Sequence, residues 1–356
     1  MKKLFPTLLI AFFLYSVVIY LSASFVNYDT QSYNVIGVLT LNGISIYPDP
    51  AISRHPYLPF FLFLETGALL LARLISVPQI IILKFIFTLF HLFSVYTIYH
   101  LAKKSLRLTF LYAINPISLL IIAFHGQFDI IPLTLILYSV MVLSEKKYSQ
   151  VMLLLGLAFT AKTWPILFVM PFLKRIPKKF WFLFCIPPLM FLLIYMALFF
   201  STSFVSVARV LAVYQGVGGI WGFGKVLSLF GADKLTLFAY KMIFVAGLFL
   251  YSIFQKKKQL IEELVELLLA FFIFTPGFGI QWFIWLIPFF FLSKKPMIAS
   301  FFIPIFITLT LAYVSWVYPH IISDAAVSSV LLLTSVLFPL YSISLPQLML
   351  FKKWIP

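Results

Sequence analysis

"KKYSQVMLLLGLAFTAKTWPILFVMPFLKRIPKK", residues 146–179, decides how this chain is threaded. Its apolar run, residues 151–173, has a basic cluster at each end: Lys146/Lys147 before it and Lys174/Arg175/Lys178/Lys179 after it. The run is long enough for one membrane crossing, because about 20 helical residues cover a hydrocarbon core about 30 Å thick. Basic clusters gather on the cytoplasmic side of a membrane, however, and a single crossing would put one of these two outside. Charge therefore predicts a hairpin of two short helices, each arm reaching roughly 17 Å, that enters and returns. Its apex is "AKTWP", where Pro165 ends a helix and Lys162 needs compensation in an apolar setting. Length favours the crossing and charge favours the hairpin.

The same argument extends over the whole chain. Of its 356 residues, 63% are hydrophobic and 10% charged, and the mean hydropathy is +1.09. Soluble domains are about 45–50% apolar and about a quarter charged. Apolar runs near twenty residues recur, without the alternating segments of a β-barrel, so the expected fold is an all-α polytopic membrane protein. The first run, residues 4–26, lacks a small-residue cleavage site and reads as a retained span. A single cysteine, Cys185, excludes an intramolecular disulfide and a CxxC motif. The net charge of +16 sits in clusters at the ends of apolar runs, which marks cytoplasmic loops near anionic headgroups rather than a nucleic-acid surface.

Keeping every cluster inside gives outward spans at 4–26, 108–124, 180–200 and 298–317. Inward spans fall at 79–101, 130–143, 235–254 and 326–346. Residues 58–77 break the alternation as 151–173 does: a crossing there would put Lys103, Lys104 and Arg107 outside. They are expected to form an interfacial or re-entrant helix. If both segments crossed, the later spans would be unchanged. Residues 260–292 also have basic flanks, with "TPGFGIQW" at their bend. The chain thus reads as one transmembrane domain, residues 1–356. Its features are a first extracytoplasmic loop at 27–57, the helix at 58–77 and a short-helix hairpin at 150–173.

On this map Asp29, Asp49, Asp129, Asp233 and Asp324 face outward, and Glu145, Glu262, Glu263 and Glu266 lie near the inner surface. Cations outside the clusters, among them Arg54, Lys84 and Lys162, lie near outer loops or within the membrane. Chemistry is therefore expected on the outer side. Asp29 directly follows the first span, as a candidate acid or a solvated helix end. Arg54 and His55 precede Pro56, whose restriction of the backbone aims both side chains at a ligand or at headgroups. In "AFHGQFDIIP", residues 123–132, His125, Gln127 and Asp129 surround a turn at Gly126 between two spans. Polar groups at that depth tend to line a cavity. His125 and Asp129 together lack an evident third metal ligand. Lys162 suits a phosphate, or reaches for the interface. Gln281 and Trp282, in "GIQWFIW", face a ligand or join an aromatic belt. The glycine-rich residues 214–225 lack the spacing of a phosphate loop.

Several of these pieces fall in a familiar order. They are Asp29, "HPYLP" (55–59), "NP" (115–116), "HGQFD" (125–129), "LGLAFTAKTWPILFVMP" (155–171) and "IQWFIWLIP" (280–288). The set resembles the GT-C class of polyprenyl-phosphate-sugar-dependent glycosyltransferases over about residues 25 to 290. The "NP…HGQFD" and "AK…P" pair looks like the archaeal and bacterial mannosyltransferase-like branch. It is also similar to the "NP…HFQYN" element of dolichyl-phosphoglucose glucosyltransferases. "TPGFGIQWFIW" resembles the "TSQYFLW" element in the catalytic subunit of the first GPI-anchor mannosyltransferase. Many relatives carry DxD or DE in the first loop, whereas Thr30, Gln31 and Ser32 follow Asp29 here. No cofactor is therefore expected, and a divalent-metal requirement does not carry over.

The resemblance implies a GT-C-like helical bundle with interfacial or re-entrant helices on the extracytoplasmic side. It implies inverting transfer of a hexose, mannose by branch, from a polyprenyl or dolichyl phosphate to a hydroxyl of a glycan or lipid acceptor. Asp29 would be the catalytic base. Lys162, with Arg54 or His55, would hold the phosphate; His125, Gln127 and Asp129 would position sugar or acceptor; Gln281 and Trp282 would face the donor. The expected location is the cell membrane of an archaeon or bacterium, with membrane lipids as further partners. Two other readings use the same residues: a lipid or solute transporter, and an inert subunit of a glycosyltransferase complex.

Overall fold

The computed structural model describes residues 2–47, 54–213, 222–293 and 302–317. The regular elements are helices, and no strand occurs among the described residues. Among the described residues, four helices are long and apolar enough to cross a membrane: Gln79–Leu101, Leu106–His125, Lys178–Leu198 and Lys234–Phe254. The chain is thus all-helical and of membrane type. The expected span at 326–346, the clusters Lys294/Lys295 and Lys352/Lys353, and the acids Asp49 and Asp324 lie outside the described residues. The chain gathers into two compact units, Met1–Tyr214 and Gln215–Pro356.

The first unit opens with α1 (Phe5–Leu21), α2 (Tyr28–Leu41), α3 (Pro59–Leu74) and α4 (Gln79–Leu101). The α1 helix is shorter than the apolar run that encodes it, and residues 22–27 turn the chain instead of extending the span. Asn27 starts α2 by a reciprocal cap: its Oδ1 accepts from Thr30 N at 2.9 Å, and Thr30 Oγ1 accepts from Asn27 N at 3.0 Å. Gly43, at φ +74°, follows the end of α2. α3 begins at Pro59, whose missing N–H costs nothing in a first turn. Residues 28–41 of the first loop are thus helical, and α3 packs on α2 and α4. Ile36, Leu58 and Leu62 from these elements share a core with Tyr195 and Phe199.

Next come α5 (Leu106–Ala113) and α6 (Pro116–Ser118), which continues into a π-helical segment, Leu119–His125. The kink between α5 and α6 has a local cause. Pro116 has no N–H for the Tyr112 carbonyl four residues back, and the Asn115 side chain donates to that carbonyl instead, at 2.6 Å. Asn115 Oδ1 then caps Ser118 N at 2.8 Å. The π segment ends at Gly126, at φ +85°. A Cβ there would lie 3.0 Å from Ile80 Cδ1 and 3.2 Å from Lys84 Cε, so both the conformation and the space favour glycine.

α7 (Ile130–Ser144) is buried on nearly all sides, as its uniformly apolar sequence demands. α8 (Tyr148–Ala161) stops at Lys162, which is extended at φ −158°, ψ 147°, and α9 (Ile166–Leu173) follows Pro165. A 3₁₀ segment, Lys178–Cys185, then leads into α10 (Ile186–Leu198) and α11 (Phe204–Val213). The Tyr148 and Phe180 rings lie 5.8 Å apart, and those of Phe159 and Phe184 5.5 Å apart. The 3₁₀ segment therefore runs beside α8 in the same direction, so the chain has turned back between them. Tyr148 and Phe180, which adjoin the two basic clusters around residues 151–173, thus lie close together.

The second unit contains α12 (Phe223–Leu229), α13 (Lys234–Phe254), α14 (Leu260–Phe274), a 3₁₀ segment (Ile280–Trp285), α15 (Ile287–Leu292) and α16 (Phe302–Val317). Ser293 Oγ donates to Glu262 at 3.1 Å, so residues 260–292 also leave and return to one end. Their bend is held by backbone bonds from Phe223 N to Thr275 O at 2.8 Å and from Gly224 N to Pro276 O at 2.9 Å.

Candidate active site at the His125 turn

Asp29 stands in the first turn of α2, where the helix dipole favours a carboxylate. Facing it is the turn that Gly126 permits. His125 Nε2 lies 3.2 Å from Asp29 Oδ2, and Gln127 Nε2 donates to the same oxygen. Gln127 Nε2 also lies 3.2 Å from His125 Nε2, and Tyr33 OH donates to Gln127 Oε1 at 3.5 Å. The Asp29 side chain is 34% exposed while that of His125 is 4% exposed, so a buried amide and imidazole orient a carboxylate that still meets solvent. Backbone contacts tie the two strips together. Asn27 Nδ2 donates to His125 O at 2.9 Å, and Ser22 Oγ donates to Ala123 O at 3.1 Å. The Phe25 and Phe124 rings stack at 4.5 Å.

Two residues further on, Asp129 is fully buried and its Oδ2 accepts from Lys162 Nζ at 2.7 Å. The ammonium also faces the rings of Phe128, at 4.6 Å, and Tyr57, at 5.4 Å. The break after α8 places Lys162, and the carboxylate at the start of α7, the preceding helix, compensates it. The Asp129 carboxylate is therefore sealed, whereas that of Asp29 is open.

His55 Nδ1 lies 3.1 Å from Glu65 Oε2 in a buried pocket, without alignment for a hydrogen bond. Its ring is parallel to that of Phe61, and it meets Tyr47 and Tyr57 edge-on. Tyr47 OH donates to Tyr57 O at 2.7 Å. Burial, with the Tyr195 phenol and the Glu65 carboxylate nearby, holds the Tyr47 phenol well above its ordinary range, so it stays a neutral donor. Arg54 lies with its guanidinium 4.8 Å above the Tyr28 ring and 3.4 Å from Ser32 Oγ, on the turn that carries Asp29.

The first unit thus joins Asp29 to His125 and Gln127, Asp129 to Lys162, and sets Arg54 beside the Asp29 turn. His55 is drawn to Glu65 instead. Gln281 and Trp282 belong to the second unit, where Trp282 stacks on Trp285 at 4.9 Å and packs near Phe271. Glu65, Tyr33 and Lys84 carry site contacts that sequence reasoning left unassigned. Lys84 had a visible signal, a lysine inside an apolar run. Tyr33 had none, because a tyrosine in a helix reads equally as packing. Among the described residues, no three His, Cys, Asp or Glu side chains gather around one point as metal ligands. No model of a known protein family matches the chain, and no curated protein matches it.

Proposed function

We propose that the chain is an inverting glycosyltransferase that moves a hexose, by resemblance mannose, from a polyprenyl phosphate to a hydroxyl acceptor at the outer membrane surface. The observation that carries this reading is the Asp29 carboxylate: partly exposed, in a helix first turn, and held at one oxygen by His125 and Gln127. A carboxylate fixed on one side and open on the other suits a general base. In the proposed step Asp29 takes the proton of the acceptor hydroxyl as that oxygen attacks the anomeric carbon. The bond to the lipid phosphate breaks on the opposite face, and the phosphate leaves with the electron pair. Arg54, the cation beside this turn, balances the charge that develops on the phosphate. Lys162 already has Asp129, so its part is to hold the turn and, through its remaining N–H groups, to contact sugar or phosphate.

The test is transfer from a defined polyprenyl-phosphate hexose in membranes carrying the wild-type chain or Asp29→Asn. The substitution keeps size and surroundings and removes the base. Transfer is expected to fall roughly 100- to 10,000-fold at equal expression. Undiminished transfer by the variant removes Asp29 as base. Movement of the lipid across sealed vesicles without a new glycosidic bond identifies a transporter instead.

A further inference from the structure

Lys84 lies on α4, is 0% exposed, and belongs to no carboxylate ion pair among the described residues. Its Nζ donates to Ser22 Oγ at 2.9 Å and to Ser22 O at 3.3 Å. A buried ammonium within an apolar span is costly, and such residues are usually tied to function. Here its surroundings explain how it is tolerated. Ser22 is the C-cap of α1, whose terminal carbonyls carry partial negative charge. Ser22 Oγ passes the contact on to Ala123 O at 3.1 Å, in the last turn of the π-helical segment that ends at Gly126. Two helix C-termini therefore converge on one hydroxyl, and left alone their like partial charges would repel. Lys84 supplies the positive charge between them, and its Cε lies under Gly126, where a Cβ would come within 3.2 Å.

We infer that Lys84 is the positioning residue that brings the Asp29 strip and the His125 turn together, through Ser22. It acts through Ser22, which accepts its hydrogen bonds. It sets the approach of residues 22–27 to residues 123–125, and the Asn27 bond to His125 O and the Asp29–His125 contact depend on that approach. A functional consequence rests on the glycosyltransferase reading, in which the base works only when His125 and Gln127 orient it. A misplacement of about 1 Å costs roughly 100-fold in rate.

The experiment uses the full chain in detergent or nanodiscs, labelled with ¹⁵N-histidine, with the His125 signal assigned by its loss in His125→Gln. In wild type the His125 ring reports the Asp29 contact, and Asp29→Asn gives the signal of the ring without its carboxylate. Lys84→Met is expected to move the His125 signal toward the Asp29→Asn position and to lower kcat roughly 100-fold with little change in KM. Lys84→Arg, which keeps the cation at the two helix ends, is expected to restore much of both. Ser22→Ala is small, uncharged and compatible with folding, so it tests the same link if Lys84→Met does not fold. It should move the signal in the same direction. An unmoved His125 signal in Lys84→Met, or in Ser22→Ala where that variant is needed, overturns the inference. If the signal responds but wild-type membranes transfer no sugar, the positioning role stands and the glycosyltransferase reading falls.

Discussion

At the scale of single residues, the first unit settles each buried charge in a different way. Asp129 and Lys162 pair directly at 2.7 Å with almost no exposure, whereas Lys84 relies on helix ends and a hydroxyl. Removing one member of a buried pair leaves the other uncompensated, at a cost of about 3–5 kcal/mol, while replacing both by apolar groups is often neutral. Lys162→Met alone should therefore lower stability by about 3–5 kcal/mol. Lys162→Met with Asp129→Leu should recover most of that loss. Thermal unfolding of the two variants in one detergent checks it. If the double variant is also inactive in transfer, the pair serves the site as well as the fold.

At the scale of elements, the sequence departs from ideal helices where the site is built. The helix through residues 106–125 is kinked at Pro116, widened to a π-helix, and stopped by a glycine in the left-handed region. Asn115 makes this arrangement affordable by capping Ser118 and satisfying the Tyr112 carbonyl. Asn115→Ala is expected to cost about 0.5–2 kcal/mol, the usual worth of an N-cap. Because the element ends at His125, the same substitution should also perturb the His125 signal. Equilibrium unfolding and the histidine spectrum measure the two effects on one sample.

At the scale of the molecule, the charge pattern reads residues 146–179 as a hairpin with both basic clusters on one side of the membrane. Tyr148 and Phe180 lie at one end of the first unit, their ring centroids 5.8 Å apart. Tyr148→Cys and Phe180→Cys, each introduced after Cys185→Ser, should react with an impermeant thiol reagent from the same side of sealed vesicles. Labelling from opposite sides would convert the hairpin into a crossing. Both cysteines in one chain should also join on mild oxidation, which reports their proximity without reference to the membrane.

Membrane class and helical composition were legible in the residues, because hydrophobic length and charge are one-dimensional properties. Asp29, His125 and Gln127 were legible as candidates too, since polar side chains next to apolar runs are conspicuous. Their joining was not legible: residues 27–33 and 125–127 are about a hundred positions apart and meet only when α1 and the π-helical segment pack against α4. The pairings of Lys162 with Asp129 and of His55 with Glu65 were hidden for the same reason. A lone charge in a sequence states a need for compensation without naming the partner. Sequence alone determined that this chain is a helical membrane protein with polar residues concentrated at a few turns. Tertiary structure decided which turns meet, because the low dielectric of the interior makes every buried charge find its complement in space rather than along the chain.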